Sequence, residues 1–174
     1  YTLELLEELQ RRGELTARVK VPFHFKNFMD ISMLEKASQM AERWQGDMLS
    51  SGFVKLFIDG VADSATAVMV EDYASRPGWK GDPLFAPERF AAIATEADRR
   101  GLQIAVHAIG DGAVRIVLDG YAAAQKANGR RDSRHRVEHV EVIHPDDIPR
   151  FAELGVIASM QPYHAIDDGR WAGK

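Results

Sequence analysis

The sequence predicts an α/β fold, a partial (β/α)8 TIM-type barrel. Three observations lead there. Short apolar runs alternate with helical patterns, and a repeating strand–helix unit builds a parallel sheet. The runs VKLFIDG, LQIAVHAIGDG, HRVEHVEV and VIASMQPYH place Lys55, His107, His139 and His164 at or near strand carboxyl ends, the rim where parallel barrels keep their chemistry. The chain has 174 residues, opens on Tyr1 in a helical pattern and ends at Lys174. A complete barrel takes about 250 residues, so the expectation is a piece of a larger domain.

The elements follow in order. Residues 3–12 put Leu3, Leu5, Leu6 and Leu9 on one helical face, with Gly13 as C-cap. Residues 17–23, ARVKVPF, alternate as a strand, and Asp30 can cap a helix through LEKASQMAERW. Residues 54–58 form a buried strand ended by Asp59-Gly60. Residues 60–86 form a loop rich in Gly, Pro, Asp and Ser; loops of this length are functional or disordered, and this one would lie over a barrel mouth. Pro87 opens a helix with Phe90, Ile93 and Ala97 on one face. Residues 102–106 form a strand, and Asp111 caps a helix that Asn128-Gly129 stops. Residues 136–142 form a strand, Pro145 opens a helix with Ile148, Phe151 and Leu154 inward, and residues 156–160 are the last strand. The count is five strands.

The composition is that of an ordinary globular domain, 45% hydrophobic and 28% charged. A net charge of −4, with Arg130, Arg131, Arg134 and Arg136 interrupted by Asp132 and Glu138, argues against a nucleic-acid surface. The chain has no cysteine, so disulfides and thiolate metal sites are excluded and any metal is held by nitrogen and oxygen. No apolar run approaches the ~20 residues of a membrane span. The expected location is cytoplasmic.

Lys55 stands mid-strand in an apolar run, where an ammonium is costly to bury. Either it pairs with a carboxylate such as Asp59, or its amine is deprotonated and carboxylated by CO2 to give an anionic oxygen ligand. His107 is either an exposed strand-end imidazole or a core histidine bonded to backbone. Strand alternation puts Val137, His139 and Glu141 on one side, and an inward histidine there suits a metal. Glu138 is either a support for a ligand or a structural ion pair, and His135 and His144 are expected at the surface. Asp59 reads as a turn former that could touch substrate or a ligand network, and His164 as a substrate or metal-solvent contact or a plain loop histidine. HAIGDGA lacks the Lys-Ser/Thr and full glycine spacing of a phosphate loop.

Taken in order, VKLFIDG, DPLFAPERF, GLQIAVHAIGDGAV, RHRVEHVEVIHPDD and GVIASMQPYHAIDDGRW resemble the amidohydrolase superfamily, in particular the branch labelled amidohydrolase family 3 or YtcJ-like. The resemblance is strongest over residues 53–174 and looser before them. It implies a (β/α)8 barrel of which this chain holds approximately strands three to seven. It also implies one or two divalent metals, usually zinc, and hydrolysis of an amide-like, non-peptide C–N bond by metal-activated hydroxide. Lys55 then resembles the carboxylated bridging lysine, His107 the ligand after the fifth strand and His139 the ligand after the sixth. The chain lacks the family's His-x-His pair and its last-strand aspartate, a role not given to Asp167 or Asp168. Its loop reads Val-Ala-Asp-Ser-Ala-Thr-Ala after Gly60, where the family often continues with small residues and Ser-Arg-Thr-Ala.

The expectations are therefore definite. Lys55, His107 and His139 hold metal; His164, Asp111 and Asp59 lie near a small-molecule amide-like substrate. The fragment itself is inactive, self-associates through open sheet edges, and binds neither nucleic acid nor membrane. The competing reading is a non-catalytic barrel fragment that binds a metal or, with Lys55 a plain cation, an anion.

Overall fold

The computed structural model describes residues 2–166; Asp167, Asp168 and the end of the last matching stretch lie outside the described residues. The chain runs α1 (Thr2–Arg11), β1 (Val19–Lys20), β2 (Phe23–His24), α2 (Leu34–Arg43), β3 (Leu49–Ser50), β4 (Phe53–Phe57), α3 (Pro87–Arg99), β5 (Gln103–Ala108), α4 (Asp111–Asn128), β6 (Arg136–His139), α5 (Ile148–Leu154), β7 (Ile157–Ser159) and α6 (Pro162–Ile166). One sheet has the order β2-β4-β5-β6-β7, all parallel, and does not close into a barrel; β1 and β3 pair separately, also in parallel. This open arc of parallel strands, joined largely through helices, is the partial TIM-type arrangement expected.

The two faces of the sheet differ. Val54, Leu56 and Ile58 alternate into the core with Ile104, Val106 and Val137, against Phe90, Ile93, Val117 and Leu118 from α3 and α4. Each such side chain contributes about 1.5–3 kcal/mol by leaving water. Phe53, Lys55 and Phe57 take the opposite face, where the Arg136 guanidinium lies over Phe53 and the Lys55 ammonium over Phe57.

Several expectations need correction. The strand over 17–23 is two strands: Val19–Lys20 pairs with β3, and Phe23–His24 with β4. Pro22 between them brings no N–H to a ladder. Asp30 caps a short 3-10 turn, Ile31–Met33, by accepting from Ser32 N–H, and α2 follows it. In α1 only Leu3 is buried while Leu5 is 64% exposed; in α5 Phe151 is buried but Ile148 is 56% exposed. Gly110, not Asp111, is the residue before α4. His135 is not a surface group: it is 2% exposed.

Residues 60–86 carry no helix or strand, yet they are tied to the ends of β4 and β5. Ala67, Val68, Tyr73 and Phe85 are buried. Met69 N–H donates to Lys80 C=O at 2.7 Å and Ala113 N–H to Val68 C=O at 3.0 Å. The loop backbone lies so close that a Cβ on Gly110 would stand 2.1 Å from the Val68 carbonyl oxygen, and one on Gly81 (φ +80°) 2.3 Å from that of Ala67.

Candidate metal centre

Successive parallel strands bring their carboxyl ends to one rim. Phe57, His107 and Glu138 are register partners across β4, β5 and β6, as are Lys55, Ala105 and Arg136. Strand alternation then assigns Glu138 to the Lys55 face and sends Val137 to the helix layer. It would send His139 with Val137, the opposite of a site position. The backbone resolves this: β6 ends at His139, where φ is +79°, and Val140 follows at +52°. Histidine visits this left-handed region more readily than most residues, whereas a β-branched valine there is an outlier. Two such residues in succession store on the order of 2–6 kcal/mol of strain. The turn sets the His139 ring 4.5 Å from that of His107, edge to face, while Val140 is buried.

The two imidazoles are held in defined tautomers. His107 Nε2 lies 2.7 Å from Gly60 C=O; a carbonyl only accepts, so Nε2 carries the proton and Nδ1 the lone pair. His139 Nδ1 donates to Gln161 Oε1 at 3.0 Å, leaving the lone pair on Nε2. Neither free nitrogen has a hydrogen-bond partner among the described residues. Burial lowers the His107 pKa, aided by the Lys55 charge against the Gly60 bond that opposes it. Burial also lowers that of His139, with the charges of His107 and Lys55 adding to it. Both effects favour the neutral, ligating form.

Lys55 is half-buried, and burial brings its ammonium down to about 8, the Glu138 charge opposing and Arg136 assisting. Among the described residues it has no salt bridge. The Asp59 pairing is not formed, because Asp59 is otherwise engaged. At 2% exposure, Asp59 accepts from the N–H groups of Val68 (3.0 Å), Ile109 (3.1 Å) and Gly110 (2.9 Å). Burial raises its pKa, and those three bonds work against the rise. Asp111 similarly accepts from Val70 N–H at 2.8 Å. Both carboxylates anchor the long loop. Glu138 is an ion-pair partner, 2.5 Å from Arg136 Nε.

The rim extends beyond the residues the sequence pointed to as ligands. His164 Nδ1 lies 2.6 Å from Glu141 Oε1, and its ring stacks 6.0 Å from that of His139. His24, at the end of β2, stands 5.4 Å from Phe57, which lies 4.9 Å from His107. A cleft of about 360 Å³ opens beside them, lined by His24, Phe25, Phe28, Phe57, Leu84 and Phe85 among others. His24 and Gln161 were missed because the sequence signals only that each lies near a strand end. Glu141 was placed beside His139 by alternation, though a backbone reversal, not alternation, is what puts His139 at the rim.

Comparison with known proteins identifies the family and the fold. Residues 1–174 match the family described as the amidohydrolase family. Protein LONG AFTER FAR-RED 3 of Arabidopsis thaliana is 42% identical over 135 residues, covering 78% of this chain and 22% of its own length. Putative amidohydrolase YtcJ of Bacillus subtilis is 29% identical over 152 residues, covering 87% and 28%. The N-substituted formamide deformylase of Arthrobacter pascens is 26% identical, covering 96% and 32%. The crystal structure of a metal-dependent hydrolase from Pyrococcus furiosus superposes with a TM-score of 0.79 at 29% identity, covering 98% of this chain and 34% of that one. Its counterpart from Pyrococcus horikoshii gives 0.80 at 29% identity. The chain thus spans about a third or less of the length of the relatives it matches. Among the described residues, no helix is long and apolar enough to cross a membrane.

Proposed function

Since the chain belongs to the amidohydrolase family, we propose that it supplies part of the metal centre of a hydrolase acting on amide-like, non-peptide C–N bonds, with Lys55, His107 and His139 as ligands to one or two zinc ions. The observation that carries the reading is the His107–His139 pair. The rings are 4.5 Å apart, and each has one nitrogen fixed by an acceptor and the other without a partner among the described residues. Metal-ligating histidines characteristically bond through the second nitrogen in this way, which orients the ring and fixes the tautomer. The donor set fits a borderline cation that favours imidazole and oxygen. When bound, a divalent cation polarises the scissile carbonyl and acidifies water towards a pKa of about 7.

The chain's own residues do the rest. Gly60 C=O and Gln161 hold the two imidazoles in place. Lys55, neutral more readily than an exposed lysine, adds CO2 through its amine and releases a proton to solvent, becoming a carbamate oxygen ligand. Phe57 and Phe85 keep water from one side and, with Phe25 and Phe28, hold an apolar part of a small-molecule substrate in the cleft. His164 lies near the substrate. Asp59 and Asp111 act on it through the loop they anchor. The 174 residues by themselves lack a His-x-His pair, and on this reading they do not turn substrate over alone.

Plasma mass spectrometry of the intact protein tests the centre. Near-stoichiometric zinc is expected, and loss of most of it in the His107→Asn, His139→Asn double variant. Undiminished zinc in that variant overturns the assignment.

A further inference from the structure

We propose that His139, Glu141 and His164 form an alternative seat for a divalent cation, displaced along the rim from Lys55 and His107. It shares His139 with the centre above but does not rest on that centre being correct. One ligand atom from each of the three residues lies within 4.8 Å of the others. Two imidazoles and a carboxylate are a donor set that holds zinc with a position left for water.

The local structure explains how the end of β6, the segment just after it and α6 bring three residues together. The left-handed turn at His139 and Val140 ends β6 and carries the chain on to Glu141. The next strand, β7, leads into α6, which carries His164. The His139 and His164 rings stand nearly parallel, 10° apart in plane. His164 Nδ1 and Glu141 Oε1 already meet at 2.6 Å, so a ring nitrogen and a carboxylate oxygen stand together where a cation would bind. Zinc bonds of 2.0–2.2 Å set tetrahedral ligand atoms about 3.3 Å apart. The 2.6 Å contact has to open slightly and the widest separation to close, adjustments available to side chains that are 38% and 19% exposed.

His139 links the two positions. A neutral imidazole offers one lone pair, so it serves a cation beside Lys55 and His107 or one beside Glu141 and His164, not both. Gln161 bonds Nδ1 of His139 and leaves Nε2 for either.

The test uses Co2+ as probe, followed by its visible absorption and by calorimetry on the intact, metal-stripped protein. The background is Lys55→Met, His107→Asn, which removes the other ligands while keeping side-chain bulk. One equivalent of Co2+ is expected to bind in this background. Adding His164→Ala or Glu141→Gln is expected to weaken it at least 100-fold. Both residues are partly exposed, so the same single substitutions in the unaltered protein control for folding. If the unaltered protein takes up Co2+ and the background does not, the seat does not exist, although the Lys55–His107–His139 centre survives. If the background binds Co2+ and neither added substitution weakens it, the seat is overturned by other ligands. If the unaltered protein binds no Co2+, both assignments fail.

Discussion

Strand β6 has a histidine just before it and another at its end, and the two live differently. His135 uses both ring nitrogens: Nδ1 accepts from Ile104 N–H at 3.1 Å and Nε2 donates to Asp98 Oδ1 at 3.0 Å. Asp98 also accepts from Asn128 Nδ2 at 2.8 Å and Arg131 Nε at 2.9 Å. Burial raises the Asp98 pKa, but Asn128, Arg131 and His135 outweigh it and hold the carboxyl below its ordinary range. Four residues on, His139 uses one nitrogen and leaves the other without a described partner, beside two more histidines. The difference teaches that residue type does not mark a site. A histidine whose bonding capacity is exhausted is structure; one with a lone pair to spare, at a strand end, is available for chemistry.

Substitutions at the two ends should therefore trade stability against binding. The largest stability loss is expected for Asp98→Ala, which leaves the buried His135 Nε2 without its acceptor and costs about 1–3 kcal/mol, read from urea unfolding. A loss under about 1 kcal/mol would show that the cluster is not the saturated network its distances describe.

Acid should find the same place. Burial is the main cause that brings His135 down to about 4 from 6.5, against the opposing pull of Asp98. A depressed histidine favours the folded state while neutral, and the unfolded chain binds the proton first. Its contribution is complete above pH 6.5 and is lost as pH falls towards about 4. It amounts to no more than on the order of 3 kcal/mol. Unfolding free energies measured across that window should rise with pH, and His135→Gln should flatten the rise.

The smallest effects sharpen the contrast. His139→Ala and His164→Ala are each expected to change unfolding free energy by about 1 kcal/mol or less, because neither residue is saturated. Alanine keeps the Cβ and with it the strain at φ +79°, so His139→Gly is the informative companion: it relieves left-handed strain and should be more stable than His139→Ala by up to about 1 kcal/mol. If His139→Ala costs as much as Asp98→Ala, the division between the two ends collapses.

Much of this was legible in the sequence. Strand β4, helices α3 and α4 and the placement of Lys55, His107 and His139 follow from apolar periodicity, helix punctuation at Pro87 and Gly101, and strand-end position. The unread parts share one cause, contacts between residues distant in sequence. His135 looked exposed beside Arg134 because its partners, Asp98 and Ile104, lie 37 and 31 residues away. The face of His139 was assigned by alternation and reached by a backbone reversal instead. The Asp59 carboxylate seemed a partner for Lys55 until three N–H groups from Val68, Ile109 and Gly110 claimed it.

The seating of the long loop bears on redesign. Its base is pinned by Asp59 and Asp111, by the Met69–Lys80 backbone bond, and by glycines at 81 and 110 that leave no room for a methyl group. Between those pins, residues 71–78 form an exposed arch, apart from buried Tyr73, whose hydroxyl bonds back to Ala67. The loop is thus a cassette with fixed sockets and a replaceable crown. Libraries aimed at new substrates can vary the crown around Tyr73, while changes at the sockets would unseat the whole piece.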